Sequence, residues 1–130
     1  MGKLFDLEAE GYFYSRLQNP TCDTVARKIA AMEGGTAAML TSSGQAANFY
    51  AMFNICECGD HIVASSSIYG GTFNLIAVTM AKMGITATFV SPDATEEELS
   101  AAFRPNTKLM FGETIANPAL TVLDIELFAK

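Results

Sequence analysis

Strand-like and helix-like segments alternate along most of this 130-residue chain. Short apolar runs predict strands over 36–40, 61–64, 85–90 and 108–112, and the segments between them have helical length and pattern. Such alternation is typical of βαβ units, in which helices connect parallel strands and cover the sheet. We therefore predict an α/β fold with a mostly parallel sheet and helices on both faces.

The predicted helices have recognisable beginnings and ends. A helix capped by Thr21 would carry an apolar face of Val25, Ile29 and Met32, and Gly34 would end it. Further helices are predicted over 44–55 and 72–83, from a capping box at 95–98 to Phe103, and from Asp124 onward.

Residues 1–20 are predicted to form an extended arm, because Pro20 disfavours helix at the residue before it. The arm has few apolar positions that could pack on its own domain, yet it carries Tyr14 and Arg16. We expect it to contact a neighbouring subunit.

Composition excludes several classes of partner. The net charge is −6 and the basic residues are scattered, which argues against nucleic acid and anionic membranes as partners. No apolar run reaches membrane-spanning length, and the first residues lack the apolar core of a signal peptide. These features predict a cytoplasmic protein. The hydrophobic content of 50% indicates surface to be covered by more chain or by a partner.

The cysteines and the histidine predict no metal site. Cys56 and Cys58 lack the spacing of zinc ligands, and no second pair follows them. With Cys22 they are predicted to be buried or half-buried free thiols. The single histidine, His61, begins a predicted strand and is interpreted as structural.

Two features can hold a phosphate group. Arg16 offers a guanidinium that pairs with phosphate oxygens, two residues from the Tyr14 phenol. The loop 41–45 leads into a helix, so the main-chain N–H groups of Gly44 and Gln45 would face a ligand, beside Ser43. Together they predict a phosphorylated small molecule.

Three loops leave the carboxyl ends of predicted strands, where ligands bind in open α/β sheets. The loop 41–45 is the first, and the loop 65–71 carries Tyr69, whose ring could lie against an aromatic ligand. The third loop carries Glu113 and Asn117, able to orient ring substituents. Each residue alone also has a structural interpretation: Ser43 as a helix cap, the others as turn or surface residues.

Four phrases in the sequence are similar to the Cys/Met-metabolism (transsulfuration) family of pyridoxal-phosphate enzymes. They cover nearly the whole chain, in order: Y-S-R-L-Q-N-P-T, A-A-M-E-G-G-T-A-A-M-L-T-S-S-G-Q-A-A, G-D-H-I-V-A-S-S-S-I-Y-G-G-T and R-P-N-T-K-L-M-F-G-E-T-I-A-N-P. The resemblance implies a partial fold-type I (aspartate-aminotransferase-like) large domain over 21–130. It also implies pyridoxal 5'-phosphate as the cofactor and a homodimer or homotetramer.

The resemblance also implies roles for individual residues. Tyr14 and Arg16 would reach the cofactor phosphate of the neighbouring subunit, and the main chain of Gly44 and Gln45, beside Ser43, would bind that of their own. Tyr69 would stack on the pyridine ring and assist proton movement or departure of the leaving group. Asn117 would hydrogen-bond the ring hydroxyl oxygen, and Glu113 matches a carboxylate near the ring. Gln45 stands where many relatives have Met.

Within the family, the phrase from Gly112 to Pro118 is most similar to the O-acetylhomoserine sulfhydrylases. These exchange the acetate of O-acetyl-L-homoserine for sulfide or methanethiol, in homocysteine and methionine synthesis. The resemblance places the Schiff-base lysine beyond Lys130, which implies an N-terminal part that is inactive by itself. Four alternatives stay open: a cystathionine γ-synthase, a C–S lyase, a non-catalytic phosphate-binding α/β module and a dimerisation fragment.

Overall fold

A computed structural model describes residues 2–6 and 8–130. The chain divides into two compact units, one ending at Ser42 and one running from Ser43 to Lys130.

The second unit contains a three-stranded parallel sheet of order β2-β1-β3. Its strands are β1 (His61–Ser65), β2 (Thr86–Val90) and β3 (Thr107–Phe111). Every residue of the central strand β1 is buried, as expected of a parallel strand covered on both faces. The predicted parallel sheet and these three strands are confirmed.

Four helices accompany the sheet: α3 (Gly44–Ile55), α4 (Gly70–Asn74), α5 (Glu96–Ala102) and α6 (Ile125–Ala129). The α4 helix continues as a π-helical stretch over Leu75–Met80, which was not predicted. The α4 helix itself begins at Gly70, two residues before the predicted start at Thr72, because Tyr69 occupies the N-cap position. The capping box of α5 is present as predicted.

Hydrophobic cores lie on both faces of the sheet. On one face, Ile62 of β1 packs with Met52 of α3 and with Met80. On the other, Val63 packs with Leu99 of α5. Successive residues of a strand point to opposite faces, so one strand supplies both cores. The predicted placement of helices on both faces is therefore confirmed.

The first unit contains α1 (Gly2–Phe5) and α2 (Pro20–Met32). The extended arm predicted over 1–20 is wrong for residues 2–5, which are helical; the Phe5 and Phe13 ring centroids are 4.6 Å apart. Pro20 restricts only the residue before it, so its influence does not reach the start of the arm. Met1 and Leu7 of the predicted arm lie outside the described residues.

The beginning of α2 differs from the prediction. The N-cap is Asn19 and not Thr21: the Asn19 Oδ1 atom accepts hydrogen bonds from the N–H groups of Thr21 and Cys22, at 3.0 and 3.3 Å. The reason is Pro20, which suits the first helical position because the N–H that it lacks has no intrahelical acceptor there.

The predicted apolar face of α2 is not buried. Val25, Ile29 and Met32 are 42%, 41% and 84% exposed, and the buried residues are Ala26 and Ala30. The helix is therefore packed on its small residues, and its large apolar side chains face outward.

The strand predicted over 36–40 is wrong, since none of these residues is in a strand and all are exposed. A strand requires a neighbouring strand to accept and donate its main-chain hydrogen bonds. The described residues supply no such neighbour.

His61 is fully buried at the amino end of β1 and joins all three strands. Its Nδ1 atom lies 2.8 Å from Thr107 Oγ1 of β3, and its Nε2 atom 2.9 Å from Thr88 Oγ1 of β2. Arg104 contacts both threonine hydroxyls. These contacts support the structural interpretation of His61.

The three cysteines are free thiols, but only Cys56 is buried. Burial raises the pKa of the Cys56 thiol, with a smaller contribution from the charge of Asp60. Cys22 and Cys58 are exposed, which corrects the prediction that all three are buried or half-buried. Among the described residues, no helix is long and apolar enough to cross a membrane.

Candidate functional site

The amino end of α3 is open. Ser43 is its N-cap, and the Ser43 Oγ atom accepts a hydrogen bond of 3.1 Å from the Ala46 N–H. Gly44 and Gln45 come next, in the first turn, where main-chain N–H groups have no intrahelical acceptor. A Cβ atom added to Gly44 would meet nothing within 4 Å. Space and donors for an anion therefore coincide at this helix end.

The side chain of Gln45 connects α3 to α4. Its Nε2 atom donates to Thr72 Oγ1 at 2.9 Å, and Asn48 Nδ2 donates to the same oxygen at 3.2 Å. Thr72 is completely buried. Sequence reasoning gave Gln45 a main-chain role and assigned no site role to Asn48 or Thr72, although Thr72 ends the phrase G-D-H-I-V-A-S-S-S-I-Y-G-G-T. The side-chain amides of Gln45 and Asn48, one helical turn apart at the start of α3, were the sequence signal that could have indicated this contact.

Tyr69 lies where the second loop enters α4, with its side chain 48% exposed. A Cβ atom added to Gly71 would lie 2.5 Å from Tyr69 Cε1 and 3.1 Å from Gln45 Nε2. Glycine at position 71 thus lets the phenol ring lie over the first turn of α4, beside the Gln45 side chain. Tyr69 stays about half exposed, so part of it remains accessible to a ligand.

Glu113 follows the carboxyl end of β3 and contacts the second loop. The Tyr69 N–H donates to both carboxylate oxygens of Glu113, at 3.1 Å each. The first, second and third loops are thereby connected through Gln45, Tyr69 and Glu113.

Asn117 is exposed and lies in a short turn closed by the bridge between Ile115 and Val122. The peptide bond from Asn117 to Pro118 is cis. Among the described residues, no hydrogen bond joins Asn117 to Tyr69 or Gln45, so its place at the site stays a prediction.

Tyr14 and Arg16 belong to the first unit. The Arg16 Cζ atom lies 5.1 Å from the centroid of the Tyr14 ring, and both residues are exposed. This is a cation–π contact between the guanidinium and the phenol ring.

The donor set of the second unit fits a phosphorylated aromatic molecule. Main-chain N–H groups at the start of α3 suit a phosphate, and the accessible Tyr69 ring suits a flat ring. The features define a class of protein: an α/β protein that holds such a molecule at the carboxyl edge of a parallel sheet.

The family model for Cys/Met metabolism PLP-dependent enzymes matches residues 1–130. The chain therefore belongs to this family, whose cofactor is pyridoxal 5'-phosphate. The predicted family resemblance is confirmed.

Curated relatives match over nearly the whole chain. A homocysteine synthase of Schizosaccharomyces pombe is 46% identical over 129 residues, which is 99% of this chain and 30% of the relative. An O-acetyl-L-homoserine sulfhydrylase of Leptospira meyeri is 45% identical over 128 residues, 98% of this chain and 29% of the relative. The chain thus spans about 30% of the length of these relatives.

A solved structure supports the fold. The structure of a putative O-acetylhomoserine (thiol)-lyase from Campylobacter jejuni, with N'-pyridoxyl-lysine-5'-monophosphate, matches with a TM-score of 0.86 and 39% identity. The match covers 96% of this chain and 30% of that one. The prediction of a partial fold-type I domain is therefore confirmed.

Proposed function

We propose that this chain is part of an O-acetyl-L-homoserine sulfhydrylase. In this reaction the bond from the γ-carbon to the acetate oxygen breaks, and sulfide or methanethiol forms a new carbon–sulfur bond. The products are acetate and homocysteine or methionine. The observation that carries the proposal is the 45% identity, over 98% of the chain, to an enzyme of that name.

Pyridoxal 5'-phosphate would be held by residues of all three loops. The phosphate would accept hydrogen bonds from the main-chain N–H groups of Gly44 and Gln45, beside the Ser43 cap. Tyr69 would lie against the pyridine ring, and Asn117 would contact the ring hydroxyl oxygen. When bound, the cofactor supplies an electron sink for carbanions. The open space at Gly44 and the accessible Tyr69 ring support this placement.

The chain's own residues would orient the reactants and move protons. The Tyr69 hydroxyl is a group at this edge that can hold or deliver a proton when acetate departs. Tyr14 and Arg16 would add phosphate contacts to a neighbouring subunit, in a homodimer or homotetramer. The position of the Tyr14–Arg16 pair on exposed residues of the first unit supports a role toward another molecule.

A chimera tests the proposal. In it, this chain replaces the aligned 128 residues of the Leptospira meyeri sulfhydrylase. We expect the chimera to show visible absorbance of the protein-bound cofactor and to release acetate from O-acetylhomoserine when sulfide is present. We expect residues 1–130 alone to show neither, because the resemblance places the cofactor-binding lysine beyond Lys130. A chimera that binds cofactor but does not use O-acetylhomoserine would contradict the proposed substrate.

The same chimera distinguishes the family alternatives. A cystathionine γ-synthase would prefer cysteine to sulfide as the nucleophile, and a C–S lyase would release a thiol from an amino acid without a second substrate. Activity only with sulfide or methanethiol would support the sulfhydrylase.

A further inference from the structure

The geometry points to Glu113 as a positioning residue that holds the loop presenting Tyr69. The inference rests on the proposed function only in taking Tyr69 to face the cofactor. The resemblance implied a carboxylate near the ring; the contacts of this chain indicate that it acts through the Tyr69 main chain.

The first step is the contact between Glu113 and Tyr69. Both carboxylate oxygens lie 3.1 Å from the Tyr69 nitrogen, although the two residues are 44 positions apart. A hydrogen bond from an N–H group to an ionised carboxylate is about twice as strong as one between neutral groups. The contact therefore anchors the second loop to the end of β3.

The second step is the amino end of α4, where no side chain of the helix itself supplies a capping hydrogen bond. Tyr69 is the N-cap residue, and its side chain makes no capping hydrogen bond. In a capping box, a glutamate of the same helix accepts from the N-cap N–H, as Glu98 does for Thr95 in α5. In α4 the corresponding position is Thr72, which has no carboxylate. The hydrogen bond from the N-cap N–H of Tyr69 is accepted instead by Glu113, which belongs to another element. A negative charge there is also favoured by the helix dipole.

The third step is the ring itself. It lies over Gly71 and beside the Gln45 amide, which is bonded to Thr72. Glu113 thus holds the main chain of Tyr69, and Gly71 leaves room for its side chain. The main chain and the ring of Tyr69 are thus each restricted by a neighbouring group, while the residue stays 48% exposed.

Amide hydrogen exchange measures the anchoring directly. In the chain, Glu113→Ala should speed exchange of the Tyr69 amide by about tenfold or more, since a hydrogen bond to a charged group is lost. Glu113→Gln, which keeps one acceptor oxygen, should have a smaller effect. Glu97→Ala, which removes an exposed carboxylate of α5, is the matched control and should have none. If Glu113→Ala does not fold, faster exchange in Glu113→Gln supports the inference. An unchanged Tyr69 amide overturns it.

A double-mutant cycle in the chimera separates positioning from direct contact. Glu113→Ala should lower kcat/KM by about 10- to 100-fold, as expected when a reacting group is misplaced. When Tyr69 has already been replaced by Ala, the Glu113 substitution should add little further loss. Additive losses would mean that Glu113 acts on substrate or cofactor by itself and would overturn the positioning role. An inactive parent chimera would contradict the proposed function, and the exchange measurement would still test the anchoring.

Discussion

The buried His61 side chain connects the three strands of the sheet at their amino ends. At the amino ends of the strands, the imidazole of His61 bridges Thr88 and Thr107 with both ring nitrogens. Burial, and secondly the charge of Arg104, lower the pKa of His61 from its ordinary value near 6.5. The folded chain therefore holds this histidine neutral under conditions where the unfolded chain protonates it.

The pH dependence of stability follows from this difference. Well above pH 6.5 His61 is neutral in both the folded and the unfolded state, so its contribution to stability is complete. As pH falls below 6.5, the unfolded state binds the proton first and the free energy of unfolding decreases, by at most about 1.4 kcal/mol per pH unit. We expect urea unfolding between pH 7.5 and 5 to show this loss in the native chain and less of it in His61→Gln. Parallel pH curves for the two proteins would contradict the assignment.

Two adjacent glycines of α4 provide a matched test of the Tyr69 ring position. A Cβ atom at Gly71 would collide with the ring, whereas one at Gly70 would meet nothing within 4 Å. Alanine favours helix over glycine by about 1 kcal/mol, so neither substitution should destabilise α4 strongly. We expect Gly71→Ala, and not Gly70→Ala, to shift the Tyr69 ring resonances in NMR spectra. Equal shifts in both variants would show that the ring does not lie over Gly71.

At the scale of elements, helix beginnings are well specified in this chain. Asn19, Ser43, Thr95 and Asp124 each use a side-chain oxygen to accept from main-chain N–H groups of the helix that follows. Among the helices α2 to α6, the exception is α4, whose N-cap N–H is bound by a residue of another element. The capping of the amino end of α4 thus depends on the folded sheet, whereas the capping of α2, α3, α5 and α6 depends on residues close in the sequence.

The α5 cap gives a prediction of magnitude. Thr95→Ala removes the hydroxyl that accepts from the Glu98 N–H at 3.2 Å. We expect a loss of about 1 kcal/mol in the free energy of unfolding, measured with urea. Ser100→Ala, at an exposed position of the same helix, should cause no comparable loss. Equal stability of the Thr95 variant and the native chain would contradict the importance of the capping box.

At the scale of the whole molecule, large apolar side chains remain exposed on several elements. On α3, which is apolar around most of its circumference, Tyr50, Phe53 and Ile55 are about half exposed, at 51%, 52% and 48%. Monomeric proteins rarely show extended patches of this kind. We expect residues 1–130 alone to bind a hydrophobic dye and to self-associate in sedimentation experiments, and Phe53→Ser to reduce both. A monodisperse monomer without dye binding would contradict this.

The proposed crossing of Arg16 to another subunit is also tested with the whole molecule. In the chimera, Arg16→Ala should weaken retention of pyridoxal 5'-phosphate during dialysis, because the phosphate loses a charged, bidentate partner. Lys28→Ala removes an exposed cation of α2 and serves as the control. Unchanged retention in the Arg16 variant would overturn the role of the arm and leave the family membership intact.

The sequence by itself determined the types of most elements, the parallel sheet and the local cap of α5, because these follow from periodicity and from residues within a few positions of one another. Only the tertiary structure decided that 36–40 is not a strand, since pairing requires a neighbour. It also decided the contact between Glu113 and Tyr69, which no local pattern encodes over 44 positions. The motif residues could be named in advance, Gly71 and Thr72 included, but the contacts among them, such as those of Gln45 with Thr72 and of Glu113 with Tyr69, emerge only when distant segments pack together.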